Sequence, residues 1–415
     1  VIDQIAAGEV VERPSHLVKE LVENSLDAGA LEVSIEVNLG GREVRVTDNG
    51  RGIPPHQIPL ALARHATSKL RNSDDLSRLR SFGFRGEALA SIAAVSLLKI
   101  RSRTEKSELA TQIECVFGKT SDAIEVGATR GTQVDVQDLF ANVPARLKFL
   151  KSEAAECAAI RQSIKALALA HPHVSFHYRE NGKIILVYEP AKTKLERARQ
   201  VLQLKDLYEG FCEGQGIQVH SVFCDPHHPN KTNKNLWVLA QDRWVQDRGV
   251  VAAIMEAYRN YLMGGEYPSC VVWVSVDPEE IDVNIHPSKS QVKFLDSSKV
   301  FRAVSASIRQ VLETAPWNRQ QSVDSQGASK QLNQPQIQQQ QIAFSDNESR
   351  SFAKKYLAAN MDFEKRGSQS VHLSNPTVQD FKTAVASRDV FISDLTSEQT
   401  NHLNQSQSQS QPEEI

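Results

Sequence analysis

A break in composition near Trp317 sets the first limit on what this chain can fold into. From Gln320 to Gln341, 10 of 22 residues are glutamine, and Gln405, Gln407, Gln409 and Gln411 repeat the theme near the end. Such tracts hold too few apolar side chains to offset the entropy of ordering them. We therefore read 318–415 as a disordered Gln/Ser-rich linker with short apolar islands at 352–357 and 390–395. A linker at the end of the chain, and Val1 in place of an initiator Met, lead us to expect a piece of a longer protein. The folded part is then expected within the first 317 residues, room for about two domains at ~150 residues each.

Within that part the pattern is mixed. Val33, Ile35 and Val37 alternate with polar residues, as do Val44 and Val46, and Gly40-Gly41 lies between the two runs, so the pair reads as a hairpin. Residues 174–178 and 184–188 flank Asn181-Gly182, a strong hairpin signal. Residues 133–138 read as a further strand, and 216–223, 235–240 and 270–276 as strands of a second block. Helical spacing appears at 15–28, 87–95, 153–170, 249–262 and 298–313. Helices mixed with tightly joined strands predict an α+β fold with helices against an antiparallel or mixed sheet.

Charge and cysteine usage narrow the function classes. Lys+Arg number 48 against 50 Asp+Glu, a formal net charge of -2, so no uniform basic coat exists and any DNA contact needs local patches. No run approaches the roughly 18 apolar residues of a membrane span, and nothing at the start reads as a signal peptide. Cys115, Cys157, Cys212, Cys224 and Cys270 are scattered without a C-x-x-C pair, as expected for reduced thiols in a cytoplasmic protein. Cys224, His227 and His228 match no common zinc spacing, and Pro226 and Pro229 mark the segment as a loop.

The first helix carries the most chemistry. Leu17, Val18, Leu21, Val22 and Leu26 form an apolar stripe, with Ser15 as the expected N-cap and Gly29 as the stop. Glu20, Glu23, Asn24 and Asp27 fall on the opposite face. That face is either solvated or a site, since Glu20 and Asn24 stack one turn apart. A carboxylate can polarise water while an amide oxygen ligates a hard cation such as Mg2+. Next, Asp48-Asn49-Gly50-Arg51-Gly52 follows a strand. An ionised Asp only accepts hydrogen bonds, which suits an exocyclic amine, and the glycines permit close backbone approach. Gly83-Phe84-Arg85-Gly86 precedes an apolar helix and offers N–H groups to a phosphate, with Thr67, Ser68 and Lys69 upstream. Gly131-Thr132 opens a strand and can set a hydroxyl beside a base.

These four motifs, in this order over about 130 residues, resemble the GHKL ATPases. Longer segments resemble the MutL family of mismatch-repair proteins within that group. They are Gln4 to Pro14, Glu20 to Ala30, Gly83 to Leu89, Asn142 to Phe149 and Asp282 to Lys289. The resemblance covers roughly 1–315. It implies a GHKL (Bergerat) ATP-binding sandwich of a mixed sheet and helices over 1–206, then a smaller ribosomal-protein-S5-like α/β domain over 207–317.

The resemblance also implies residue roles. Glu20 would be the general base toward the γ-phosphate, and Asn24 would hold Mg2+. Asp48 would bind the adenine amine, with Gly50, Gly52 and Thr132 shaping the base pocket. Thr67, Ser68, Lys69 and Gly83, Phe84, Arg85, Gly86 would form a lid, and Lys289 would reach the γ-phosphate from the second domain. Lys165, Arg248, Lys293 and Lys299 lie in segments that resemble the family's proposed DNA groove. The implied partners are a MutS-type recognition protein, DNA without sequence preference, a downstream nuclease and helicase, and a second copy that pairs when ATP binds. The family's C-terminal dimerisation domain is absent from these residues, and so is the endonuclease signature D-Q-H-A-x-x-E-R, leaving endonuclease activity unsupported.

One departure touches geometry. Ala240-Gln241-Asp242-Arg243 stands where many members carry V-N-G-R. Rival readings are a DNA-binding adaptor with a non-hydrolysing nucleotide site, which retention of Glu20 and Asn24 argues against, or another GHKL ATPase. A type II topoisomerase would need a cleavage domain, and a histidine kinase would need a phospho-accepting helix upstream of Glu20.

Overall fold

A computed structural model describes residues 11–63, 88–282 and 292–315 of the chain. All of them belong to one structural unit, Val1–Asp346. The expected linker, 318–415, lies outside the described residues.

Helix α1 spans Pro14–Asp27 and buries Leu17, Val18, Leu21 and Val22. Its N-cap is Arg13, with Pro14 in the first turn, so Ser15 is not the cap that the spacing predicts. Proline supplies a helical φ and has no N–H to leave orphaned, which moves the helix start forward. Ala28 ends the helix and Gly29 follows at φ 73°, the left-handed stop expected of it.

Strands β1 (Glu32–Asn38) and β2 (Glu43–Asp48) form the expected hairpin, paired from Val33↔Asp48 to Asn38↔Glu43. Gly41 sits at φ 95° in the connection, and a Cβ there would fall 2.4 Å from Pro14 Cβ. Helix α2 (Ala88–Ala94) leads into β3 (Leu97–Arg103) and β4 (Ala110–Val116), two strands the periodicity did not single out. Short β5 (Lys119–Thr120) and β6 (Ile124–Val126) pair with β4, and β7 is Gly131–Gln137. After α3 (Pro144–Phe149), α4 runs from Glu153 to Ala170, capped by the Ser152 hydroxyl on Ala155 N–H. Strands β8 (Ser175–Glu180) and β9 (Lys183–Tyr188) join through Asn181 (φ 47°) and Gly182 (φ 77°). Helix α5 is Lys194–Leu202.

Among the described residues these strands make a nine-stranded sheet, β5-β4-β3-β7-β2-β1-β8-β9 with β6 on β4. The β1·β8 pair is parallel and its neighbours are antiparallel, so the sheet is mixed. Helix α1 packs on α4 and on β2. One row of side chains crosses six strands in register: Arg179, Glu36, Arg45, Asp135, Lys99 and Glu114. Charge alternates at every step. Arg179–Glu36 (3.4 Å), Arg45–Glu36 (3.5 Å) and Lys99–Glu114 (2.8 Å) are ion pairs, and Arg45 also bonds Asp135. Cross-strand opposite charges stabilise a sheet, and the alternation leaves this row without a basic stripe for phosphates.

The second block holds β10 (Leu207–Gly214), β11 (Ile217–Cys224), β12 (Leu236–Ala240), β13 (Arg243–Trp244), α6 (Arg248–Ala257) and β14 (Cys270–Val276). Short β15 (Ile281–Asp282) and β16 (Lys293–Phe294) precede α7 (Ser297–Thr314). The sheet order is β10-β11-β14-β12-β13, with α6 crossing over between parallel β12 and β14. Helix α6 stops at Ala257, short of the predicted 262. Tyr258 leaves the helix fully buried and donates its hydroxyl to the Cys224 carbonyl at 2.7 Å.

Trp237, Leu239, Val271 and Trp273 of the second sheet share one apolar cluster with Leu169, Ala170 and Leu202. Trp273 Nε1 donates to the Leu169 carbonyl at 3.1 Å. The cysteines are all buried and free. Cys224 ends β11, whereas His227 and His228 lie in the turn that follows it; among the described residues no group of His, Cys, Asp and Glu is arranged to hold a metal. No described helix is long and apolar enough to cross a membrane.

Candidate functional site

The Asp48–Gly52 loop is stitched to the end of α1. Asn49 Oδ1 accepts the N–H groups of Leu31 (2.9 Å) and Glu32 (3.0 Å), and Arg51 N–H donates to the Ala28 carbonyl (3.0 Å). Gly52 lies at φ 72°, and a Cβ there would fall 2.3 Å from the Arg103 carbonyl oxygen. Only glycine meets both demands, a left-handed backbone and direct contact with β3. Gly50 brings its N–H to Asp48 Oδ1 at 2.9 Å.

Asp48 is buried, with 8% of its surface exposed. Oδ1 accepts Gly50 N–H and Thr132 N–H (3.2 Å), and Oδ2 accepts the Ser25 hydroxyl (2.9 Å). Burial pushes its carboxyl above the usual range, and these three hydrogen bonds pull it back. Thr132 and Ser102 share a hydroxyl–hydroxyl bond of 2.9 Å, and Ile53 N–H donates to Ser102 Oγ at 2.7 Å. Thr132 stands opposite both Asp48 and Ser102 in the sheet. The sheet thus brings a carboxylate and two hydroxyls together at one spot.

Glu20 and Asn24 lie on α1, both half-buried. Glu23 is 5% exposed and its carboxylate is 3.7 Å from the Lys19 ammonium, so the polar face of α1 is not simply solvated. Arg243 at the start of β13 faces Glu23, Asp27 and Glu20. Burial lowers its pKa and those three carboxylates oppose the shift. The Gln241-Asp242 turn that carries it has φ 50° and 59°, the mirror-image hairpin turn that Asn-Gly normally favours. The departure from V-N-G-R therefore keeps the turn, with two non-glycine residues in a left-handed backbone.

Thr67, Ser68, Lys69, Gly83, Phe84, Arg85, Gly86 and Lys289 lie outside the described residues. The residues expected at DNA do not share one state. Arg248 and Lys293 are exposed, and Lys165 is half-buried. Lys299 is committed, its ammonium bonding both Glu280 oxygens at 3.2 and 3.3 Å. Sequence reasoning passed over Ser25, Ser102 and Arg243 as site residues. Ser25 sits inside a segment that carries the resemblance, whereas Ser102 has no local signal.

Comparison with known proteins agrees with this fold. The family of histidine kinase-, DNA gyrase B- and HSP90-like ATPases matches residues 12–142, and the C-terminal domain of DNA mismatch repair proteins matches 200–313. A solved structure of the Aquifex aeolicus MutL ATPase domain complexed with ADP is 28% identical, with a TM-score of 0.53 over 71% of this chain and 98% of that one. The N-terminal domain of a DNA repair protein, 21% identical with a TM-score of 0.65 over 78% of this chain and 99% of its own, shares the fold. The fold and the family match together define a GHKL-type ATPase architecture.

MutL of Citrifermentans bemidjiense is 39% identical over 325 residues, covering 77% of this chain and 50% of the relative. MutL of Neisseria meningitidis serogroup C is 40% identical over 332 residues, covering 79% and 50%. The chain belongs to the MutL family of DNA mismatch repair proteins. It spans about half the length of the curated relatives it matches.

Proposed function

We propose that the chain is an ATP-binding and slowly ATP-hydrolysing switch that couples mismatch recognition by a MutS-type protein to strand incision and unwinding. The observation that carries this reading is Asp48, a buried carboxylate held by three donors with acceptor capacity left on Oδ2. An amine at the edge of adenine fits that acceptor, and Gly52 and Gly131 form a close-packed backbone beside it. Residues 1–206 are the ATP-binding domain, 207–317 the S5-like second domain, and 318–415 a linker.

Glu20 acts as general base, orienting a water toward the γ-phosphate. Its place four residues before Asn24 supports that role, since the two share one helix face. Asn24 would hold Mg2+, which would supply positive charge for phosphoryl transfer. Asp48 and Thr132 orient the base, with Gly50 and Gly52 letting the backbone approach. Thr67, Ser68, Lys69, Gly83, Phe84, Arg85 and Gly86 close over the phosphates, and Lys289 senses the γ-phosphate from the second domain. ATP-dependent pairing of two copies and weak, sequence-independent DNA contact complete the switch, in the cytoplasm at the nucleoid. Downstream nuclease and helicase are its outlets.

The test is hydrolysis by wild type against Glu20→Ala. The variant is expected to bind ATP and lose most turnover, by 100-fold or more on the order of general-base effects. Equal turnover in both proteins removes Glu20 from its role.

A further inference from the structure

We propose that Ser25 is a positioning residue for base recognition, aiming the Asp48 Oδ2 lone pair at an amine on C6 of a purine. This rests on the reading of the pocket as an ATP site and deepens it to the origin of base selectivity.

The argument is a count of lone pairs. Oδ1 already accepts two N–H groups, from Gly50 at 2.9 Å and Thr132 at 3.2 Å. Oδ2 accepts the Ser25 hydroxyl at 2.9 Å and keeps one acceptor position. That position reads the ligand, and the Ser25 bond fixes where it points. Ser25 has one proton and two acceptors within reach, Asp48 Oδ2 and the Leu21 carbonyl at 3.2 Å. The carboxylate is nearer and charged, and charge-assisted hydrogen bonds are roughly twice as strong as neutral ones, so the proton goes to Asp48.

Ser25 is 3% exposed, so water does not take its place when the hydroxyl is removed. Without it Asp48 loses one of three donors in a buried site, and the carboxyl is free to turn or to take up a proton. Burial already raises its pKa, and the Ser25 bond is one of the forces holding it down. A carbonyl at C6, as in guanine or hypoxanthine, would set acceptor against acceptor at Oδ2. Ser25 also adjoins Asn24 on α1, so one helix addresses both ends of the nucleotide: Glu20 and Asn24 at the phosphates, Ser25 through Asp48 at the base.

The experiment is titration calorimetry on the full chain with ATP and with purine riboside triphosphate, which carries hydrogen where ATP has its amine. Ser25→Ala is expected to weaken ATP by about tenfold or more, since the lost bond is to a charged group. Its affinity for the purine analogue is expected to stay within about twofold, so the preference for ATP collapses. In an Asp48→Asn background the same change is expected to leave the preference where Asp48→Asn put it, because Ser25 acts through Asp48. Equal weakening of both nucleotides by Ser25→Ala indicates a packing role and overturns the proposal, as does an unchanged preference. If wild type binds neither nucleotide, the ATP reading itself falls and takes this proposal with it. If wild type binds ATP and only the Ser25 effect is missing, the ATP reading stands alone.

Discussion

Gly131 lies directly beneath Asp48. A Cβ built on it would fall 1.9 Å from the Asp48 carbonyl oxygen, and its φ is 114°. The turn into β7 therefore tolerates no side chain where it meets Asp48. We expect Gly131→Ala to lower stability by about 3 kcal/mol, combining backbone strain with a forced shift of β2. Urea unfolding of variant and wild type measures this, and a difference under about 0.5 kcal/mol would show that the turn relaxes freely.

The amine contact proposed for Asp48 is strongest with its carboxyl ionised, when both oxygens only accept hydrogen bonds. Burial raises its pKa above the ordinary carboxylate value, so the charged form is lost at a higher pH than for a free aspartate. ATP affinity is expected to be flat near neutrality and to fall as pH drops through that raised value. Asp48→Asn, which has no proton to gain, should bind ATP weakly with a smaller acid dependence. Calorimetric titrations from neutral to mildly acid pH compare the two slopes.

His171, at the end of α4, has its pKa lowered to about 4 by burial, with Asp242, Asp27 and His173 nearby. The fold thus favours neutral imidazole over its unfolded value of 6.5. For a base depressed in the folded state, the stabilisation is complete above the unfolded pKa. It is lost as pH falls from about 6.5 toward 4, on the order of 3 kcal/mol. Melting temperatures across that range should drop more steeply for wild type than for His171→Gln.

Arg248 and Lys299 are both basic, yet the two differ in their surroundings. Among the described residues no ion pair to Arg248 is seen and its side chain is exposed, whereas Lys299 is bound to Glu280. Arg248→Glu is expected to weaken DNA binding and to reduce the slope of log affinity against log salt by about 1. Lys299→Glu should instead lower the melting temperature by setting two carboxylates together. Fluorescence anisotropy with a duplex at several salt concentrations separates the two, and an unchanged affinity for Arg248→Glu at low salt counts against its DNA role.

Sequence alone determined several local elements, though not β3 or β4. Periodicity gave α4 to the residue at 153–170, and the Asn181-Gly182 turn announced the β8–β9 hairpin, because helix faces and two-residue turns are written in neighbours a few positions apart. The same local spacing placed Glu20 beside Asn24 and flagged Asp48. What tertiary structure decided is who meets whom across long separations. Ser25 reaches Asp48, Thr132 reaches both Asp48 and Ser102, and Arg243 faces the acids of α1. These partners are set by sheet order and register, which follow from the packing of one buried core and from no stretch of residues taken singly.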